Sequence, residues 1–220
     1  MNDTLFVIGN GPSALLYKHQ QGRKLTCNIP HIPIPDAYAT VMVDFKMMNA
    51  INKDGVIPPQ PWVLGWRPQK YMEKNQAFYM RNAHIIREFY TVLPKYVAGY
   101  TDFNCGHMAT YFALEHLKAE VIHMYGFDSI FDFNLRSSTD LFITSDRGSM
   151  NNNRLTNNWR PLFNNMFKDF NETKINLHHF HNALKFDVPS NVEVHSYKMR
   201  GEIVDAGKQS GSIKTIDFRK

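Results

Sequence analysis

The chain has 220 residues, of which 43% are hydrophobic and 20% charged, and its formal net charge is +5. These values exclude a low-complexity or collagen-like chain, and the length suffices for one domain with a core of its own. Two cysteines, Cys27 and Cys105, match neither a zinc-site spacing nor a disulfide framework, so we expect a reduced, cytoplasmic protein. No apolar run reaches about 18 residues, and we expect no membrane span.

Short apolar runs alternate with helical periodicity along the chain. The first run, 4–8, ends at Gly9 and predicts a buried parallel strand. Further strands are predicted at 24–28, 40–45, 62–65, 77–80, 121–125, 175–180 and 191–196, and helices at 46–52, 83–93, 106–117 and 160–171. This order predicts an α/β fold of Rossmann-like type, with a mostly parallel sheet and helices on both faces.

The domain organisation predicted from composition is simple. We expect a single domain over residues 1–200 and a loosely ordered basic tail over 201–220, which is rich in Gly, Ser and Lys. Residues 136–158 are rich in Ser, Thr, Asn and Arg and predict a long loop.

The sharpest motif is Gly-Asn-Gly-Pro-Ser at 9–13, directly after the first predicted strand. A strand that leads through a glycine turn into a helix can expose N–H groups where an anion binds. The alternative is a purely structural turn in which Ser13 caps the helix. Polar residues also end other predicted strands, at Asn28, Asp44 and Asp128, and ligands of open α/β sheets bind at the carboxyl ends of the strands.

These motifs stand in an order that resembles the bacterial CMP-sialic-acid-dependent sialyltransferases and their relatives. LFVIGNGPS comes first, then strands ending in Cys27-Asn28 and in Asp44, then a helix opened by NCGH, and then VIHMYGFDSIFDF. The resemblance covers residues from about 4 to 185, and GNGPS and GFD are its most specific parts. It implies a GT-A-like variant of the fold. It also implies an inverting, metal-independent glycosyltransferase with a nucleotide-sugar donor of CMP or UDP type and no further cofactor.

The resemblance assigns roles to individual residues by position. It implies that the nucleotide part of the donor is bound by Gly9, Asn10, Gly11, Ser13, Asn28, Cys105, Gly106, Gly126, Phe127 and Asp128. It implies that Asp44 lies near the donor sugar. No paired tyrosines match those that steady the departing phosphate in the family, and Arg147 and Arg154 of the long loop are candidates for that role.

The identity of the general base stays open. In the family a histidine of the loop before the late helix takes this role, and here that loop has no histidine. Asp44, at a strand end, and His107, at a helix start, are the two candidates. The alternatives are a solvated or capping Asp44 and a packed His107. We expect no metal site, and we interpret the histidines at 178–181 as structural.

Two other classes of function remain open. Diphosphokinase-type phosphoryl transfer on a related scaffold would require a magnesium site. A non-enzymatic nucleic-acid-binding protein would fit the positive charge and the basic tail. A transferase acting on modified DNA, as in a phage, would combine two of these classes, so the expected acceptor is a glycan or a modified nucleic acid.

Overall fold

The computed structural model describes residues 3–30, 32–131, 155–180, 186–197, 202–205 and 214–215. Its centre is one ten-stranded sheet. The strands are β1 (Thr4–Ile8), β2 (Arg23–Cys27), β3 (Ala39–Met42), β4 (Trp62–Leu64), β5 (Ile86–Phe89), β6 (Val121–Tyr125), β7 (Lys174–His179), β8 (Val192–Tyr197), β9 (Glu202–Asp205) and β10 (Lys214–Thr215).

The sheet has the order β10-β9-β8-β7-β6-β1-β2-β3-β4-β5. All neighbouring pairs from β8 to β5 in this order are parallel, and β9 and β10 add an antiparallel edge. The chain builds outward from β1 to β5, then returns to the other side of β1 with β6. The strand order therefore reverses between β1 and β6, which makes this crevice the topological switch point.

Helices cover both faces of the sheet, which confirms the predicted Rossmann-like α/β fold. The helices are α1 (Phe45–Asp54), α2 (Trp66–Lys74), α3 (Gln76–Asn82), α4 (Cys105–Tyr111, continued by a π-helical turn at Phe112–His116) and α5 (Arg160–Asp169). α4 and α5 pack on the face that carries Leu5 and Val7. α1, α2 and α3 pack on the opposite face, against Met42 and Leu64. Successive side chains of a strand point to opposite faces, so the apolar runs of the central strands supply both apolar surfaces.

The segment between β3 and α4 differs from the sequence prediction. Residues 77–80, predicted as a strand, lie in α3, and residues 83–93, predicted as a helix, form a 3-10 turn at Ala83–Ile85 and then β5. In the described sheet β5 lies at the edge beside β4, so pairing with another strand rather than its own periodicity fixes it as a strand. α2 was not predicted; it tolerates Pro68 because this residue lies in the first turn, where no N–H is needed.

The carboxyl-terminal part of the chain adds to the sheet. Residues 201–220, predicted as a loosely ordered tail, contribute β9 and β10. Of the predicted loop, residues 136–154 lie outside the described residues, and Leu155–Trp159 forms a π-helical turn that leads into α5. Within the described ranges, no helix has the length and apolar character needed to cross a bilayer.

Candidate functional site

The glycine turn after β1 crosses the turn after β6 at the switch point. The Gly9 N–H donates to the Tyr125 carbonyl at 2.7 Å, and the Gly11 N–H donates to the Gly126 carbonyl at 2.9 Å. Asn10 lies between them and is partly exposed. The two turns therefore continue the pairing of β1 with β6 beyond the ends of the strands.

Ser13 and Asp128 fasten the same crossing through their side chains. The Ser13 N–H and hydroxyl both donate to Asp128 Oδ2, at 2.9 and 2.7 Å. The Gly126 N–H in turn donates to Ser13 Oγ at 3.0 Å. All three groups are buried, so each of these hydrogen bonds satisfies an atom that would otherwise be costly to desolvate.

The glycines are required because the two backbones approach so closely. A Cβ on Gly9 would lie 2.5 Å from the Gly126 carbonyl oxygen, and one on Gly11 would collide with the Asp128 carboxylate. Gly126 has φ of 75°, and a Cβ there would lie 2.6 Å from the Gly9 carbonyl oxygen. No other residue fits these three positions without moving backbone.

This geometry corrects one expectation. The turn was predicted to expose its N–H groups to an anion, but the N–H groups of Gly9, Gly11 and Ser13 donate to protein oxygens. The turn is structural, as the alternative held, but Ser13 does not cap it: Ser13 lies inside the 3-10 turn Pro12–Leu16, whose N-cap is Gly11, and its hydroxyl binds Asp128. The turn instead packs against the turn after β6, beside the carboxyl ends of β1 and β6.

Asn28, directly after β2, is held in an unusual conformation. Its φ is 49°, in the left-handed region that few non-glycine residues adopt, and its N–H donates to the Val41 carbonyl at 3.1 Å. The Cys105 thiol donates to Asn28 Oδ1 at 3.1 Å. Among the described residues, nothing accepts a hydrogen bond from Asn28 Nδ2. The amide is thus fixed at its oxygen and keeps its donor available.

Cys105, the first residue of α4, serves this arrangement as a neutral thiol. Burial raises the pKa of Cys105 well above its usual range, and the negative charge of Asp44 raises it further. Burial also raises the pKa of Cys27, to about 12. Neither thiol ionises near neutral pH, so Cys105 acts here as a hydrogen-bond donor rather than as a nucleophile.

Three charged side chains, those of Asp44, Arg67 and Asp102, form the rim of the site at the carboxyl ends of β3 and β4. Asp44 precedes α1, its carboxylate is half exposed, and its Oδ1 lies 3.8 Å from Arg67 Nη1. Arg67 Nη2 makes a closer bond, of 2.6 Å, to Asp102 Oδ1. The stronger partner of Arg67 is therefore Asp102, and the Asp44 carboxylate remains in contact with solvent.

His107 lies in the core rather than in the cleft. Its ring is fully buried, with its centroid 4.3 Å from that of Phe163, and burial lowers the pKa of His107 to about 3. Its N–H and Nδ1 form a capping box with Asn104 at the start of α4. This is the packed alternative, and we do not carry His107 forward as a base.

Gly106 and Phe127 also have packing roles. A Cβ on Gly106 would lie 2.7 Å from Cε1 of Phe127, so the glycine makes room for that ring. The Phe127 side chain is buried and packs against Phe163, with ring centroids 5.8 Å apart. Both residues therefore shape the wall behind Cys105 instead of presenting polar groups to a ligand.

Two site residues were missed by sequence reasoning, and two predicted ones cannot be located. Arg67 and Asp102 were not singled out, although Arg67 follows closely on the predicted strand at 62–65 and the strand-end rule could have found it. Arg147 and Arg154 lie outside the described residues.

Nowhere in the described part of the chain are three His, Cys, Asp or Glu side chains grouped so that they could hold a metal ion.

Comparison with known proteins gives this arrangement no family. No family model matches the chain, and no curated protein or solved structure matches it. The resemblance to the sialyltransferases therefore rests on the short motifs and their order.

Proposed function

We propose that this protein is a glycosyltransferase that binds a nucleotide-sugar donor of CMP or UDP type at the carboxyl ends of β1, β2 and β3. The observation that carries the proposal is the fixed Asn28 amide at the end of β2. Open α/β sheets bind ligands at this edge, next to the switch point.

Asn28 is suited to recognise a nucleotide. Its left-handed backbone is uncommon for a residue with a side chain, although asparagine adopts it more readily than most, and such outliers concentrate at ligand sites. The Cys105 thiol orients the amide by binding its oxygen, which turns Nδ2 into a preorganised donor. A carbonyl of a pyrimidine base or a ribose oxygen is the acceptor that this donor fits.

Asp44 is the residue we propose as general base. Transfer with inversion forms a bond from the acceptor oxygen to the anomeric carbon while the bond from that carbon to the phosphate oxygen breaks. The acceptor hydroxyl loses its proton, which the Asp44 carboxylate accepts. The departing nucleotide phosphate requires positive charge, and we assign this role to Arg147 and Arg154.

Donor turnover tests this proposal. The protein is incubated with CMP- and UDP-sugars, and the released nucleotide is measured by chromatography, without metal and then with magnesium. We expect turnover of one donor class without metal. Asp44→Asn should lower the rate by about 10²-fold or more, the usual effect of losing a general base.

Asp54→Asn is the matched control. Asp54 is exposed and ends the same helix that Asp44 precedes, about 15 Å away along its axis. Its rate should equal that of the unchanged protein. Equal rates for Asp44→Asn and Asp54→Asn would contradict the role of Asp44. No turnover with any donor would contradict the proposed transferase, and with it that role. Turnover that requires magnesium would favour the diphosphokinase class instead.

A further inference from the structure

An exposed aromatic pair stands beside the charged rim. Among the described residues, Phe45 and Trp66 are the only Phe, Tyr or Trp side chains that are exposed, at 41% and 48%. Their ring centroids are 6.4 Å apart at an interplanar angle of 83°. Phe45 is the first residue of α1 and Trp66 is the first residue of α2, so both rings lie where the parallel strands β3 and β4 end.

A charged side chain, that of Arg67, packs on one member of this pair, Trp66. The Arg67 guanidinium carbon lies 5.2 Å from the Trp66 ring centroid, a cation–π contact, and the same guanidinium binds Asp102. Asp44 is the chain neighbour of Phe45 and also approaches Arg67. The indole is thus fixed before any ligand arrives, and preorganisation lowers the entropic cost of binding.

We propose that Phe45 and Trp66 form the acceptor platform, and that the acceptor is a neutral glycan. The CH groups on one face of a sugar ring are apolar and slightly positive, which suits the negative face of an aromatic ring. The carboxylates of Asp44 and Asp102 accept hydrogen bonds from sugar hydroxyls, and charge-assisted bonds of this kind are strong.

The charge of the rim selects against a nucleic acid. The charges beside the platform balance, Asp44 and Asp102 against Arg67 and the exposed Lys46, so this rim lacks the excess positive charge that holds a phosphate backbone. Nucleobases also stack on exposed aromatic rings, but in such sites the groove is positively charged. The acceptor role rests on the proposed function, whereas sugar binding at the platform does not.

Indole nuclear magnetic resonance tests the platform directly. The chain has three tryptophans, of which Trp62 and Trp159 are only 1% and 8% exposed. In the ¹⁵N-labelled full chain, the Trp66 indole peak is assigned by its loss in Trp66→Phe. We expect lactose, N-acetyllactosamine, maltotriose or chitotriose to move this peak saturably and to leave the Trp62 and Trp159 peaks unmoved.

Phe45→Ala keeps the Trp66 reporter and should weaken sugar binding about tenfold. Unmoved Trp62 and Trp159 peaks show that the variant is folded, and Phe45→Leu, which keeps apolar volume without a ring, should show the same loss. Met80→Ala is the control, because Met80 is an exposed apolar residue on α3 and should leave the affinity unchanged.

Other outcomes overturn the platform. If none of the four sugars moves the Trp66 peak, there is no glycan site here. If CMP, UDP or a short single-stranded oligothymidylate moves it instead, the pair stacks on bases. A Trp66 peak that responds to sugar, in a protein that no nucleotide stabilises, would keep the platform and reject the proposed transferase.

Discussion

At the scale of single residues, the described glycines with the least room for a Cβ lie where the turn at 9–13 crosses the turn at 126–128. Gly9→Ala would bring a Cβ against the Gly126 carbonyl oxygen, which belongs to backbone and cannot rotate away. We expect a loss of about 3 kcal/mol in the free energy of unfolding, measured by urea denaturation.

Gly65→Ala is the matched control for that substitution. Gly65 also ends a strand, but its φ is −75°, and a Cβ there would meet side-chain and backbone atoms only at 3.4 Å or more. Its cost should stay below about 1 kcal/mol. Equal costs for the two variants would show that the turns do not cross as closely as described.

The same crossing explains what could be predicted about the site and what could not. The glycines, Ser13 and Asp128 were recognisable from the sequence, because a strand, a glycine turn and a helix follow one another. The direction in which the N–H groups of the turn point was not recognisable from the sequence. Asp128, which accepts from Ser13, lies 115 residues along the chain, and only the pairing of β1 with β6 brings it there.

At the scale of elements, the start of α4 depends on one capping residue. The Asn104 side chain accepts the His107 N–H at 2.8 Å, and His107 Nδ1 accepts the Asn104 N–H at 3.2 Å. Asn104→Ala should therefore lower the free energy of unfolding by about 1 kcal/mol. Asn104→Asp keeps the acceptor and should cost less. A neutral Asn104→Ala in urea denaturation would contradict the cap.

Elements were predictable where local pattern and tertiary pairing agree. β1, β6 and α5 follow from their own apolar periodicity, and the structure has them nearly where the sequence predicts them. β5 does not follow from its own periodicity, because its sequence is also compatible with a helix. Its pairing with β4 decides that it is a strand. Arg67 and Asp102 belong to the same stretch between β3 and α4, where the sequence prediction of elements failed. For this reason neither residue was recognised as part of the rim.

At the scale of the whole molecule, buried neutral histidines predict sensitivity to acid. Burial lowers the pKa of His107 to about 3 and that of His178 to about 2, below the value of about 6.5 in an unfolded chain. Below pH 6.5 the unfolded state therefore binds protons that the folded state excludes. Between pH 7 and 5 each histidine should cost about 2 kcal/mol of stability, measured by urea denaturation.

His178→Phe separates this effect from general acid denaturation. The His178 ring stacks on Tyr125 with centroids 4.3 Å apart, a contact that Phe can keep, while His123 and His195 also lie against it. The variant should lose less stability between pH 7 and 5 than the unchanged protein, by about 2 kcal/mol. Identical pH dependence of the two proteins would mean that His178 titrates normally.

The claim that everything else depends on is nucleotide binding next to Asn28. Thermal unfolding of the purified protein with CMP, UDP, GDP and ADP and their common sugar conjugates, without metal, tests it most directly. One nucleotide at about 100 times its dissociation constant should stabilise the fold by about 2.7 kcal/mol. Asn28→Gly, which tolerates the left-handed backbone but lacks the amide, should lose that stabilisation. Unfolding that no nucleotide shifts, or an equal shift in Asn28→Gly, would contradict the account.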